Sequence, residues 1–181
     1  MKENIIGREQ EIEKLENYIS SHKSEFIAIY GRRRVGKTFL VKELFENRFA
    51  FRVTGKDNVT TKEQLTSFSF ALNDQLGIET DVTNWPEAFR LLQKALEKMT
   101  DGTKIIFFDE LPWFDTYASN FISALEHFWN DWAFYRSDIK LIACGSATTW
   151  MLNQVINSRE GLHNRITHNI LLSPFKLHEV E

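Results

Sequence analysis

The segment GRRRVGKT, Gly31 to Thr38, sets two glycines, a lysine and a threonine at the spacing G-x-x-x-x-G-K-[ST]. That spacing suits the binding of phosphates. Glycines let backbone N–H groups curl around an anion, and the start of a following helix adds a favourable dipole. Lys37 is placed to reach the β- and γ-phosphates of a nucleotide. The Thr38 hydroxyl is placed to ligate Mg2+ bridging the same phosphates. The candidate binding run is Gly31, Arg32, Arg33, Arg34, Val35, Gly36, Lys37, Thr38 and Phe39. The backbone does the cradling in such a loop, so the three arginine side chains read as a solvated basic rim. Contact with a neighbouring subunit or a nucleic-acid phosphate is the alternative reading of them. A chance glycine-rich turn is the alternative for the loop itself.

A second group lies downstream in IIFFDE, Ile105 to Glu110. Asp109 closes an apolar run and is expected to hold Mg2+ through its water shell. Glu110, one residue on, can polarise an attacking water. A plain helix cap is the alternative for this acidic pair. Ser146, in IACGS, ends another apolar run and can hydrogen-bond the γ-phosphate or the water. A strand-to-helix cap is its alternative, and both readings can hold together. The adjacent Asp-Glu pair favours turnover over a passive switch. The guanine-reading motif N-K-x-D is absent, which makes ATP the expected nucleotide.

The elements that must position these residues alternate along the chain. FIAIYG (26–31), AFRVTG (50–55), KIIFFDE (104–110), IKLIACGS (139–146) and ITHNILL (166–172) read as strands. Helices are expected from near Lys37, over 61–76, over 85–99 with Asn84 as N-cap and Pro86 in the first turn, over 116–134, and briefly from Ala147. Strands separated by helices give an α/β class, a parallel sheet with helices on both faces. One domain over residues 1–181 is expected, with no internal repeat or long linker.

Composition narrows the setting. The chain has 181 residues and a formal net charge of −3, so no global basic field points to nucleic acid. Its single cysteine, Cys144, cannot form an internal disulfide and reads as a buried small hydrophobe. The charged N-terminus lacks a signal-type apolar region and no run reaches membrane-span length, so a cytoplasmic protein is expected. The histidines His22, His127, His163, His168 and His178 show no metal spacing. Phe121, Ile122, Leu125, Trp129 and Trp132 share a helical face and read as core. Trp113 and Phe114, just past the acidic pair, read as a surface shown to a partner.

Several segments taken together carry a family resemblance. IIGREQEIEKLENYI, FIAIYGRRRVGKTFLVKEL, KIIFFDELPWF, KLIACGSATTWM and HNRITHNILLSPF resemble, in order, the AAA+/STAND-type P-loop ATPases, most closely the archaeal-type ATPase group. The resemblance implies a P-loop NTPase αβα sandwich with sheet order 5-1-4-3-2. It implies that Gly7, Arg8 and Glu9 form an entry segment, with Ile5 and Ile6 flanking the adenine. It makes Asp109 and Glu110 the Walker B pair and Ser146 the sensor-1 residue, where other members often carry asparagine. Arg165 would match an arginine that reaches the γ-phosphate of an adjacent subunit, with a surface pair to Glu160 as the alternative. The family further implies a helical lid and often a C-terminal DNA-binding or nuclease-like domain. Neither follows within 181 residues, so a nucleotide-binding core taken from a longer protein is expected. The function expected is Mg-dependent ATP hydrolysis coupled to conformational change or assembly. Self-association through the nucleotide site is an expected contact, and DNA or a protein client an expected partner of the missing C-terminal region. The alternative is a nucleotide switch with negligible turnover.

Overall fold

The computed structural model describes residues 5–157, 162 and 164–175. One parallel sheet holds β1 (Glu25–Tyr30), β2 (Phe49–Thr54), β3 (Lys104–Asp109), β4 (Ile139–Gly145) and β5 (His168–Leu171). Their spatial order is β2-β3-β4-β1-β5, which read from the other edge is the expected 5-1-4-3-2. The helices are α1 (Glu9–Ser20), α2 (Lys37–Phe45), α3 (Thr61–Leu76), α4 (Trp85–Glu97), α5 (Phe121–Asp131) and the single turn α6 (Thr148–Trp150).

Side chains on a strand alternate between faces, and this alternation builds two cores. Phe26, Ala28, Phe51, Val53, Ile106, Phe108, Leu141 and Ala143 point to one side, where α3, α4 and α5 cover them. Ile27, Ile29, Ile105, Phe107, Ile142 and Cys144 point to the other, beneath α1 and α2. The strands β3 and β4 are buried along their whole length, which is why both read as near-continuous apolar runs. The first core is aromatic. Trp85 meets Phe121 edge-on at 4.8 Å between ring centres, and Phe114 stacks on Phe121 at 5.1 Å.

Local signals set several boundaries. Thr60 accepts from the Glu63 N–H at 3.2 Å while the Glu63 carboxylate accepts from the Thr60 N–H at 2.7 Å, a reciprocal cap that starts α3. Asn84 accepts from the Glu87 N–H at 2.9 Å at the head of α4. The sequence reading did not place α1, whose Leu15 and Ile19 pack one turn apart under the sheet.

Some expectations are corrected. The helix expected over 116–134 spans only Phe121–Asp131, because Ala118 (φ 51) and Asn120 (φ 59) hold left-handed backbone that a helix cannot include. Its far end stops at Trp132, whose ψ of −64 comes with a φ of −137, and a short 3-10 turn follows. The last helix is one α turn followed by the wider turns of Met151–Ile156. Phe114 is fully buried rather than displayed, since the 3-10 turn Leu111–Phe114 folds it into the aromatic core. Trp113 is half-buried. Cys144 is buried, and its burial pushes the thiol well above its usual range. Of the histidines, His168 stacks on Tyr18 at 3.5 Å and His127 sits in solvent beside Asp131. His163 and His178 lie outside the described residues, as does Glu160.

Candidate functional site

The carboxyl ends of β1, β3 and β4 converge on one edge of the sheet, and the segments leaving them carry the residues singled out above. Tyr30 ends β1 and Gly31 opens the loop. A Cβ on Gly31 would lie 2.3 Å from the Leu172 carbonyl oxygen, and its φ of +150 lies where side chains are strained. Glycine thus lets the loop pass directly against the chain that leaves β5. Arg34 (φ 64) and Gly36 (φ 91) take left-handed backbone, which curls the segment into a tight turn before α2 starts.

Lys37 is buried and folds back across its own loop. Its Nζ donates to the carbonyls of Gly31 at 3.0 Å and Arg32 at 2.8 Å. Burial pushes the ammonium below its usual range, while the charges of Glu110 and Asp109 work in the opposite direction. Thr38, next in α2, meets the end of β3. Its Oγ1 donates to the Asp109 carboxylate and lies 2.9 Å from each of its oxygens. Asp109 is buried, and that burial pushes its carboxyl up. The Thr38 bond opposes the shift, the Glu110 charge adds to it, and the N–H of Glu110, donating at 3.0 Å, opposes it again. A hydroxyl and a carboxylate in contact are hard oxygen donors of the kind Mg2+ selects.

Glu110 leaves the strand in a left-handed conformation, φ 50 and ψ 50, so its side chain departs from the alternation of β3. Ser146, just past β4, donates from Oγ to Glu110 Oε1 at 2.9 Å. The sheet thus brings Lys37, Thr38, Asp109, Glu110 and Ser146 together from three separate stretches of sequence.

Beside this polar group lies an apolar cavity of about 240 Å³, lined by Ile5, Ile6, Arg8, Val35, Phe39 and Phe175, among others. The sequence candidates Ile6, Arg8, Val35, Gly36 and Phe39 therefore share a wall. Arg8 is buried and turns its guanidinium to the protein itself. It donates to the Ser173 carbonyl at 2.6 Å, sits 4.2 Å from the centre of the Phe175 ring and lies 3.5 Å from Glu11. Arg8 thus ties the entry segment to the chain that follows β5 and builds the cavity wall. Phe175 was missed in the sequence. No spacing links it to the loop, and only its place in the last matched segment, HNRITHNILLSPF, could have drawn attention to it.

Arg32, Arg33 and Arg34 are exposed, as a solvated rim would be, and Arg33 lies over the Trp113 ring at 5.6 Å. Arg165 is not part of the cluster. It sits in the turn before β5, where its N–H donates to the Leu162 carbonyl at 3.0 Å. Among the described residues no group of three or more His, Cys, Asp or Glu side chains could hold a metal ion, and no helix is long and apolar enough to cross a membrane.

Comparison with known proteins places this geometry. Residues 5–181 match a family described as an ATPase domain predominantly from Archaea. An uncharacterized protein of Methanocaldococcus jannaschii is 30% identical over 175 residues, covering 95% of this chain and 36% of that protein. The Walker-type ATPase PABY2304 of Pyrococcus abyssi has a similar fold, with a TM-score of 0.68 and 23% identity over 98% of this chain and 56% of that one. Cdc6p from Pyrobaculum aerophilum follows at a TM-score of 0.66 and 17% identity, covering 98% of this chain and 49% of that one. These two structures, at such identities, speak to the fold alone. The chain spans about a third of the length of its M. jannaschii relative.

Proposed function

Because the chain belongs to the family of ATPase domains found predominantly in Archaea, we propose that it binds Mg-ATP on the carboxyl edge of its sheet and hydrolyses it. Hydrolysis would drive a conformational or assembly change in a longer protein working in the cytoplasm. In this reading the loop from Gly31 to Thr38 holds the phosphates and Lys37 supplies the cation facing them. The cavity walled by Ile6, Val35, Phe39 and Phe175 takes the adenine. The hydroxyl of Thr38 and the carboxylate of Asp109 would hold Mg2+, which when bound would supply positive charge against the phosphates.

The chain's own residues then have separable tasks. Lys37 exchanges its two loop carbonyls for phosphate oxygens. Glu110 accepts a hydrogen bond from water and orients it for attack on the γ-phosphorus. Ser146 holds the Glu110 carboxylate or the water in line. The observation that carries the reading is the Glu110 carboxylate, turned out of β3 and bonded by Ser146 in the same cluster as Lys37 and Asp109. The rival reading is a nucleotide switch with negligible turnover.

Single-turnover hydrolysis by the complete protein, with and without DNA, separates the two. Glu110→Gln keeps the shape and loses the base. It is expected to bind Mg-ATP as the wild type does and to hydrolyse it about a hundredfold or more slowly. Equal, measurable rates in the two proteins would remove Glu110 from the chemistry, and negligible hydrolysis by the wild type would leave the switch.

A further inference from the structure

One buried polar side chain outside the nucleotide cluster has more partners than packing requires. Gln64, on α3, is fully buried. Its Oε1 accepts from the Lys56 N–H at 3.1 Å, and its Nε2 donates to the Lys56 carbonyl at 2.6 Å and the Trp113 carbonyl at 2.9 Å. One amide thus takes both backbone groups of a residue in the loop after β2. It also takes a carbonyl three residues past Glu110. These are the two segments that meet beneath Glu110. The N–H of Gly55 donates to the Asp109 carbonyl at 2.9 Å. A Cβ on Gly55 would come within 2.6 Å of the Glu110 carbonyl oxygen and 2.9 Å of the Trp113 Cβ. The loop after β2 therefore lies directly against the turn that aims Glu110.

The backbone of Glu110 needs such a support. A left-handed glutamate is a strained conformation that persists only where its surroundings hold it. The turn's own bond, Trp113 N–H to the Glu110 carbonyl at 3.0 Å, closes four residues only. Beyond it, Gln64 grips Trp113 from α3, and Arg33 covers the exposed side of the same indole at 5.6 Å.

We infer that Gln64 is a positioning residue for Glu110, acting through the Trp113 carbonyl and the Lys56 backbone to hold the catalytic carboxylate in its left-handed turn. The inference rests on the reading of Glu110 as the base, and its test keeps the two apart. Gln64→Leu removes all three bonds at nearly the same volume. Gln64→Glu keeps the acceptor for the Lys56 N–H and loses both donors, which serves if the leucine variant does not fold.

Two measurements are made on the complete protein. In hydrogen exchange, the Trp113 amide of a folded variant is expected to exchange at least about tenfold faster than in wild type, with β1 and β4 protected as before. In single-turnover hydrolysis, the rate at saturating Mg-ATP is expected to fall about tenfold while the affinity for Mg-ATP stays within about twofold. In a Glu110→Gln background Gln64→Leu is expected to slow hydrolysis no further, because it acts through the missing carboxylate. Unchanged protection at Trp113, or a wild-type rate in a folded variant, would overturn the positioning role. A Glu110→Gln chain as fast as wild type would overturn the base itself. A loss of affinity that matches the loss of rate would make Gln64 a packing residue of the whole site.

Discussion

Lys37 is the residue whose local energetics are most legible. Its ammonium is buried among loop carbonyls and two carboxylates, and burial alone pushes it below its usual range. A cation kept in such a place needs strong partners. Phosphate oxygens are better ones than two carbonyls, since bonds between two charged groups are roughly twice as strong as neutral ones. Lys37→Ala is accordingly expected to weaken ATP binding about tenfold to a hundredfold, the equivalent of one charged hydrogen bond. Calorimetric titration with ATP measures it, and an unchanged affinity would mean that the nucleotide binds elsewhere. At this scale the sequence was informative where spacing is local. Residues Gly31 to Thr38 and the pair Asp109-Glu110 could be read because each group sits within a few residues. Gln64 and Phe175 could not, and Arg8 was named only through the family resemblance. Arg8 reaches Ser173 across 165 positions and Gln64 reaches Trp113 across 49, and no periodicity in the chain encodes either pairing.

Elements were read best where burial made the pattern one-sided. The strands β3 and β4 are buried throughout and β1 at all but its last residue, so they stand out as apolar runs, and α3 and α4 announce their starts through Thr60 and Asn84. The start of α5 was misread because TYASN has no glycine or proline to mark its left-handed residues. The opposite edge of the sheet gave no signal either, yet charge fixes it. Asp138, just before β4, takes two bonds from Arg136 at 2.9 and 2.7 Å and one ion pair from the buried Lys104 of β3 at 2.9 Å. The Arg136 bonds, then Lys104, pull the Asp138 carboxyl from its ordinary 3.8 down to about 2. A depressed carboxylate stabilises the fold above its unfolded value and loses that contribution as pH falls through its folded value. The window is therefore from about pH 4 down to about pH 2. The carboxylate is 27% exposed, so screening trims the effect to about 1–2 kcal/mol. Asp138→Asn is expected to cost that much in urea unfolding at pH 7. The gap between the two proteins should narrow below pH 4. A gap that stays constant from pH 7 to pH 3 would show that the charge is not the cause.

At the scale of the whole molecule, strand direction decides what Arg165 can reach. β5 runs parallel to β1, with His168 beside Ile27 and Leu171 beside Tyr30. Arg165 precedes His168 and so lies toward the amino edge of the sheet, whereas Gly31 leaves from the carboxyl edge. At about 3.3 Å per residue the two are separated by roughly 15 Å or more along the strands, too far for Arg165 to serve the γ-phosphate of its own chain. An arginine on that edge can act only on a nucleotide held by a second subunit. There it would neutralise charge on the transferred phosphoryl group and supply on the order of a thousandfold in rate. The 181-residue chain alone is therefore expected to bind ATP and hydrolyse it poorly at dilution. Rates are expected to rise with protein concentration as subunits meet. Mixing tests the assignment in the full-length protein. Chains carrying Arg165→Ala keep a whole nucleotide site, and chains carrying Lys37→Ala keep the arginine. Each alone should be slow, and a mixture should recover activity wherever an intact arginine faces an intact site. If Arg165→Ala hydrolyses ATP at the wild-type rate and no mixture exceeds its components, the arginine belongs to the surface of one subunit and the site works without a neighbour.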